Sequence, residues 1–319
     1  MESHQTPISE IPRHPVRAVV NRPGLSAHVL RAWERRYGVV TPTRTEAGQR
    51  LYSDADVARL SLLKSLALGG AQIGQLARLP IEELRRMAEA GSPSASAVAP
   101  EEPHDPEEWR RDALRAIEVM DFTGLRRGLE RAAVSLGVPR LLEEVVGPVL
   151  VEIGERWHAG RMTIAQEHLA YGVVRQVLGW VRELAETRDA APGLVVGTLP
   201  GHVHEGGALM AAAAAASEGW RVSYLGADLP VEEIAETARR TGARAVALSI
   251  VHPADDPEVG GHLRALGRAL PHGVMLLVGG AAATTYADAV AAAKGKLLTS
   301  LAGLRDALRE LAIAASASA

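Results

Sequence analysis

The chain has 319 residues, enough for two or three domains, with 47% hydrophobic and 23% charged residues and a net charge of −3. That balance indicates a globular protein and argues against a uniformly basic nucleic-acid binder. With no cysteine, disulfides, iron–sulfur clusters and thiolate zinc sites are excluded, so a transition metal should rest on nitrogen, with eleven histidines as candidates.

Met1-Glu-Ser-His-Gln5 lacks the charged start and apolar run of a signal peptide, and no unbroken apolar stretch reaches about 18 residues. The expectation is a cytoplasmic protein without a membrane partner. Residues 1–90 hold 13 Lys+Arg against 9 Asp+Glu, a basic segment hidden by the mean. Within it, Pro23-Gly24 reads as the tight turn of a helix-turn-helix. Ser26 is a candidate N-cap for a helix over Ala27–Tyr37, closed by Gly38 in a left-handed C-cap. Val29, Leu30 and Trp33 can pack inward, leaving His28, Arg31, Arg35, Arg36 and Tyr37 outside. Residues 39–52 read as a hairpin wing carrying Arg44, Arg50 and Tyr52, and Ser53-Asp-Ala-Asp56 opens the next helix like a capping box. Arginines on such a helix and wing can bridge phosphates and reach guanine edges, and tyrosine can donate to a phosphate; the plain alternative is a solvated charged face.

Residues 91–106, rich in Pro, Ser, Ala and Glu, read as a flexible linker. From 107 to 189 apolar residues recur at helical spacing, as in Leu141, Val145, Val149 and Ile153, with breaks at Asp121, Gly137 and Gly160; four helices fit, as in a bundle. From 190 to 319 the rhythm becomes strand–helix alternation. Strands are expected at Leu194–Thr198, Arg221–Leu225, Ala245–Ile250, Val274–Val278 and, more weakly, Lys296–Ser300. Helices are expected near Leu209–Glu218, Pro230–Thr241, Glu258–Leu270, Thr284–Ala293 and Gly303–Ile313. This is the pattern of a Rossmann-like (flavodoxin-like), doubly wound α/β parallel sheet, whose ligands bind beyond the carboxyl ends of the strands.

The run from Gly24 to Leu60, with Leu30-Arg-x-Trp-Glu-Arg-Arg-Tyr-Gly38 and Arg50-x-Tyr-Ser-x-x-Asp-Val57, resembles the winged helix-turn-helix head of MerR-family regulators. The resemblance implies double-stranded DNA at a promoter or operator as partner, usually read by a dimer on inverted repeats, with RNA polymerase as a further partner. Many MerR-type heads continue into a long dimerisation helix. Here Glu89-Ala-Gly91 runs into the linker, so a homo-oligomer (dimer or tetramer) would assemble through the C-terminal module.

Three motifs fall at expected strand ends: His202-Val-His204-Glu-Gly-Gly207, Ser249-Ile-Val251 and Gly279-Gly280. Singly they are ordinary surface or turn chemistry. In this order they resemble the Asp-x-His-x-x-Gly, Ser-x-Leu/Thr and Gly-Gly signature of cobalamin-binding domains. The resemblance implies that His204 is the lower cobalt ligand, and that Gly207, Ser249, Val251, Gly279 and Gly280 lie along the cofactor's nucleotide tail. Trp157-His158 followed by Glu167-His168 resembles the cap of CarH- and LitR-type photoreceptor repressors. In that family the Trp and Glu shelter the adenosyl group, and a nearby histidine can take cobalt after photolysis; His158 is the first candidate here and His168 the second. Either histidine, and Trp157, could instead be an ordinary helix residue.

Three positions depart from these patterns. His202 stands where a carboxylate would accept the ligand's N–H and strengthen it, so ligation could weaken or His202 could compete as ligand. Val251 replaces Leu or Thr, and Gln49 precedes Arg50 where His is common. The leading expectation is a repressor that holds adenosylcobalamin and releases DNA in light. A light-independent regulator using methylcobalamin, hydroxocobalamin or protein partners is the alternative, and a corrinoid enzyme subunit is the third, disfavoured by the DNA head and the lack of a substrate barrel; on the leading reading the chain is not an enzyme.

Overall fold

A computed structural model describes residues 11–16, 19, 25, 27–45, 48–68, 73–90, 105–183, 185 and 191–316. Pro23-Gly24, Ser26, the side chain of His28 and linker residues 91–104 lie outside this set. The contacts divide the chain into two compact units, Met1–Leu141 and Leu142–Ala319.

In the first unit, helix α1 (Ala27–Tyr37) buries Val29, Leu30 and Trp33, the apolar face expected from sequence, and ends at Gly38 with φ +60°. A three-stranded antiparallel sheet in the order β1 (His14–Pro15), β3 (Arg50–Tyr52), β2 (Thr43–Arg44) forms the wing, with β1 a strand not anticipated. Ser53 and Asp56 cap helix α2 (Asp54–Leu68) reciprocally: the Ser53 N–H donates to Asp56 Oδ2 at 2.8 Å, and the Asp56 N–H to Ser53 Oγ at 3.1 Å. Such a cap stabilises a helix by about 1 kcal/mol. Helices α3 (Ile73–Leu76) and α4 (Ile81–Ala90) close the head over Leu60, Leu63, Leu76 and Leu84. Helix α5 (Pro106–Glu118) begins at the last residue assigned to the linker, because Pro106 fits the first helical turn behind the Asp105 cap. It pairs with α6 (Phe122–Leu136), and Val134 joins the core of the head.

A short turn, α7 (Val138–Arg140), leads into a π-helical stretch over Leu141–Val146. The wide turns immediately precede Pro148, which lacks the N–H that regular helical bonding would need. The expected bundle over 107–189 thus has helices in both units, α8 (Gly147–His158) and α9 (Ile164–Glu183) being in the second.

The second unit is built on five parallel strands: β4 (Gly193–Gly197), β5 (Arg221–Gly226), β6 (Ala243–Ser249), β7 (Met275–Gly279) and β8 (Lys296–Leu297). They are ordered β5-β4-β6-β7-β8. This is the flavodoxin-like order, in which the chain reverses direction beside β4 and opens a crevice at the carboxyl ends of β4 and β6. Val195, Val246, Leu248, Leu276 and Val278 alternate onto one face under α11 (Val231–Thr241), α12 (Val259–Ala269) and α13 (Ala287–Ala292). Helix α10 (Gly206–Ser217) packs on β4, β5 and β6 and also on α9 and α14 (Leu301–Ser316). Being covered by both sheet and helices, it is apolar almost all round, and Ala212–Ala216 are all buried. Its small side chains bring α9, and with it the Glu167-His168 segment, close to the crevice.

Candidate functional site

In the head, Arg31, Arg35, Arg36 and Arg44 are exposed, as a phosphate-binding surface requires. One other expected contact, Tyr52, is corrected. Tyr52 is fully buried and its hydroxyl donates to Glu34; burial first, then that carboxylate, raises its pKa. It is a core residue with no edge left for a phosphate. Arg50 Nε lies 3.1 Å from the same carboxylate, with its side chain 19% exposed. Tyr37 is half-buried and packs against Gly74, where an added Cβ would stand 3.2 Å from its ring. Arg59 fixes the base of the wing, donating to the carbonyls of Val39, Ala77 and Leu79 at 2.7, 2.7 and 2.9 Å.

At the sheet's carboxyl edge, the loop from Thr198 to Glu205 is pinned from below. The Thr198 hydroxyl donates to the His202 carbonyl, the Asp228 N–H donates to Thr198 Oγ1 at 2.9 Å, and the Gly201 N–H donates to Asp228 Oδ1 at 2.7 Å. Within the loop, exposure alternates. His202 and Glu205 are buried, whereas Val203 and His204 face out. His204 has a lowered pKa through desolvation, then through the nearby His252 and His158, with Glu167 opposing. Desolvation thus favours the neutral imidazole, the form that binds a metal. His202 is 1% exposed, which removes it as a competing ligand in this conformation; neither ring nitrogen has a hydrogen-bond partner, although Nε2 lies 3.5 Å from Asp256 Oδ2.

The remaining motif residues lie against one another. Ser249 Oγ is buried without a hydrogen-bond partner and occupies the space a side chain on residue 207 would need; a Cβ built on Gly207 would also stand 3.4 Å from Ser249 Cβ and 3.8 Å from Val251 Cγ2. Gly280 has φ +104°, and a Cβ there would meet Ile250 N at 2.7 Å. The Ile250 N–H donates to the Gly279 carbonyl at 2.8 Å, tying the second and third motifs together.

Above the crevice, Trp157 ends α8 with 43% of its surface exposed and stacks edge-on against His158, ring centroids 4.7 Å apart. His158 directs Nδ1 to the Gly154 carbonyl at 2.8 Å, so Nδ1 is the donor and Nε2 is left out of this bond. Glu167 is half-buried and its charge reaches His204. His168 is engaged along its own helix, with Nδ1 2.9 Å from both the Ile164 carbonyl and Glu167 Oε2.

Several residues join the site that the motifs did not single out. The ring of His252 lies 5.4 Å from that of His204 and 6.4 Å from that of His158. Glu205, buried beside His204, accepts from the Tyr224 hydroxyl and pairs with Arg175 of α9 at 3.0 Å. Tyr224 and Tyr171 both have raised pKa values, first through burial and then through Glu205. Nothing in sequence spacing links these positions; His252 alone had a signal, as a histidine just past the Ser249 motif.

These features fit the cofactor implied by the motifs. An exposed imidazole is available to cobalt, an orphaned hydroxyl beside Gly207 offers a hydrogen bond to a polar tail, and an exposed indole with Val203 offers apolar cover for a flat ring.

Three family models match successive stretches of the chain. The model of the MerR HTH family regulatory proteins matches residues 15–80, and two B12 binding domain models match 109–182 and 192–307. The chain is 36% identical over 263 residues to the HTH-type transcriptional repressor CarH of Myxococcus xanthus, covering 82% of this chain and 87% of that protein. It is 29% identical over 237 residues to CarA of the same organism, covering 74% and 76%. Among solved structures, the monomethylamine corrinoid protein of Methanosarcina barkeri shares the fold, with a TM-score of 0.51 and 15% identity, covering 65% of this chain and 100% of that one.

Proposed function

Because the chain belongs to the CarH-like family of MerR-type, cobalamin-binding transcriptional repressors, we propose that it represses by holding DNA as a homo-oligomer with adenosylcobalamin bound, and that light releases the DNA. It is a regulator rather than an enzyme, as its named relatives are.

Adenosylcobalamin, when bound, supplies a cobalt–carbon bond that visible light breaks. His204 would hold its cobalt through an imidazole nitrogen. Ser249 would offer a hydrogen bond to its polar tail, which the absent side chain of Gly207 would admit to a slot lined also by Val251, Gly279 and Gly280. Trp157 and Glu167 would exclude water from the cobalt–carbon bond, and His158, ahead of His168, would be the second imidazole within reach of cobalt. The head meets the operator through Arg31, Arg35, Arg36 and Arg44. The observation that carries this reading is the unbroken run of ring contacts Trp157–His158–His252–His204, which brings the cap motif and the ligand loop to one crevice. A light response further needs the dark and illuminated forms to stabilise DNA-bound and free assemblies unequally.

The test is a gel shift on the protein's own promoter with adenosylcobalamin, in the dark and after green light. A dark complex that dissociates on illumination is expected, and His204→Ala should lose both corrinoid retention and the dark complex. Equal shifts in dark and light would overturn the light switch.

A second reading, a light-independent regulator using methylcobalamin or hydroxocobalamin, is favoured by one observation. Position 202 carries an unbonded imidazole in place of a carboxylate, so it adds no negative charge to the His204 ligand. Equal retention and equal DNA affinity with all three cobalamins would favour it.

A further inference from the structure

One face of α9 joins the cap motif to the ligand loop. Glu167, Tyr171, Arg175 and Arg182 fall within about 80° of one another around the helix axis, given 3.6 residues per turn. Glu167 stands in the first turn, and the three residues that follow it on this face meet the ligand loop and the strand beside it. Arg175 Nη1 lies 3.0 Å from Glu205 Oε1, and the Arg182 guanidinium lies over the Tyr224 ring, 5.4 Å from its centroid. Tyr171 packs against the start of α10, where a Cβ built on Gly206 would stand 3.6 Å from its Cε2 and 3.4 Å from Leu150 Cδ1 of α8.

Glu205 is where these contacts converge. It follows His204 directly, and its side chain is 9% exposed. One carboxylate oxygen accepts from the Tyr224 hydroxyl on β5, and the other pairs with Arg175, so both oxygens are engaged. A carboxylate enclosed in this way is costly once a partner leaves, which ties the conformation of the loop to the position of α9. Only one peptide unit separates that carboxylate's residue from His204.

We propose that Glu205 is a positioning residue that clamps α9 to the His204 loop, and that the clamp makes cobalamin affinity depend on the group above cobalt. The proposal rests on the cobalamin reading given above, with His204 below cobalt and Trp157 and Glu167 above it. Glu205 and Arg175 act without touching the cofactor, through His204 on one side and through α9 on the other. With the clamp closed, cap and ligand loop move as one body, which favours a corrinoid whose upper group fills the cap. With it open they move separately, and a bulky adenosyl group loses more than a single oxygen does.

The test uses the full-length protein in the dark. Arg175→Ala removes the ion pair at an exposed side chain, and Arg175→Lys restores the charge. Absorbance titrations should show the ratio of affinities for adenosylcobalamin over hydroxocobalamin falling roughly fivefold to tenfold in the alanine variant. The lysine variant should recover most of that fall. Glu205→Gln, which keeps an acceptor for Tyr224, should match Arg175→Ala, and the double variant should go no lower, because the two residues act as one pair. Without cofactor, hydrogen exchange in Arg175→Ala should quicken both at 164–170 and at 202–206. Equal losses with both cobalamins, the mark of a merely structural role, or quickening confined to α9, would overturn the proposal. A wild type that retained neither cobalamin would instead sink the cobalamin reading and the discrimination with it, while the exchange arm would still decide whether the clamp joins α9 to the loop.

Discussion

The Ser249 hydroxyl, at the end of β6, occupies the space that a side chain at Gly207, in the first turn of α10, would need. The two residues are thus one feature, a polar group held open by a missing methyl.

Gly207→Ala should therefore fail in two separable ways. The added carbon forces the Ser249 side chain or the start of α10 to shift, at a cost of about 1–3 kcal/mol in urea unfolding of the cofactor-free protein. The slot should also close, abolishing corrinoid retention on gel filtration. Adding Ser249→Ala removes the clashing oxygen and should recover at least about 0.5 kcal/mol through coupling of the pair. It should not restore retention. An alanine variant that kept both stability and cofactor would refute the slot.

Glu205 is the second test. Its buried carboxylate takes the Tyr224 hydroxyl and the Arg175 guanidinium, so Glu205→Ala should leave a buried phenol without an acceptor and destabilise by about 1–3 kcal/mol. Arg175 is 59% exposed and loses little, because water takes over its charge. Tyr224→Phe should cost about 1 kcal/mol, and the double variant less than the sum of the two. Hydrogen exchange should quicken in the stretch of α9 around Arg175. Additive losses would mean that the contacts are independent.

For the head, the salt dependence of operator binding is the discriminating measurement. Arg31→Ala, Arg35→Ala and Arg44→Ala should each lower the slope of log affinity against log salt by about 1, the signature of one lost phosphate contact. Tyr52→Phe should leave the slope unchanged while lowering stability by about 1 kcal/mol, since its hydroxyl serves Glu34. A reduced slope in Tyr52→Phe would reinstate it as a DNA contact.

Asp54 gives the head a pH dependence with a definite sign. Its pKa is lowered first by the hydrogen bond to His14, at 2.6 Å, and also by Arg13. A carboxylate with a depressed folded-state pKa contributes stability that is present above its unfolded value and is lost as pH falls through the folded one. Acid should thus loosen the wing where β1 meets α2, and Asp54→Asn should flatten stability against pH below about 4. The check is hydrogen exchange of residues 50–60 from pH 6 to 3; equal acid sensitivity in both proteins would reject it.

What could be read in advance follows from locality. The helix at 27–37, the capping box at 53–56 and the five strands were legible because each is announced by neighbours in sequence: Gly38 stops α1, and β-branched runs end at the motif loops. The placement of His204, Ser249 and Gly280 at or just beyond strand ends was legible for the same reason. The Tyr52 assignment went wrong because a tyrosine beside arginines looks the same whether its hydroxyl meets a phosphate or a carboxylate 18 residues away. Partnerships such as Glu205 with Arg175, or His204 with His252, span 30 and 48 residues and exist only once the sheet has ordered its loops. The π-helical stretch before Pro148 was hidden too, since proline signals a local break without saying whether the helix will kink, stop or widen.

Glu34 has a consequence beyond its own hydrogen bonds. By gripping Tyr52 and Arg50 from within α1, while Arg59 clamps the base of the wing, it makes helix and wing a single stiff cassette whose reading edge is set at synthesis. A cassette tied in this way among its described residues resists being detuned from within. On the function proposed above, the signal would then act on DNA occupancy by arithmetic, through how many cassettes are yoked together and at what spacing.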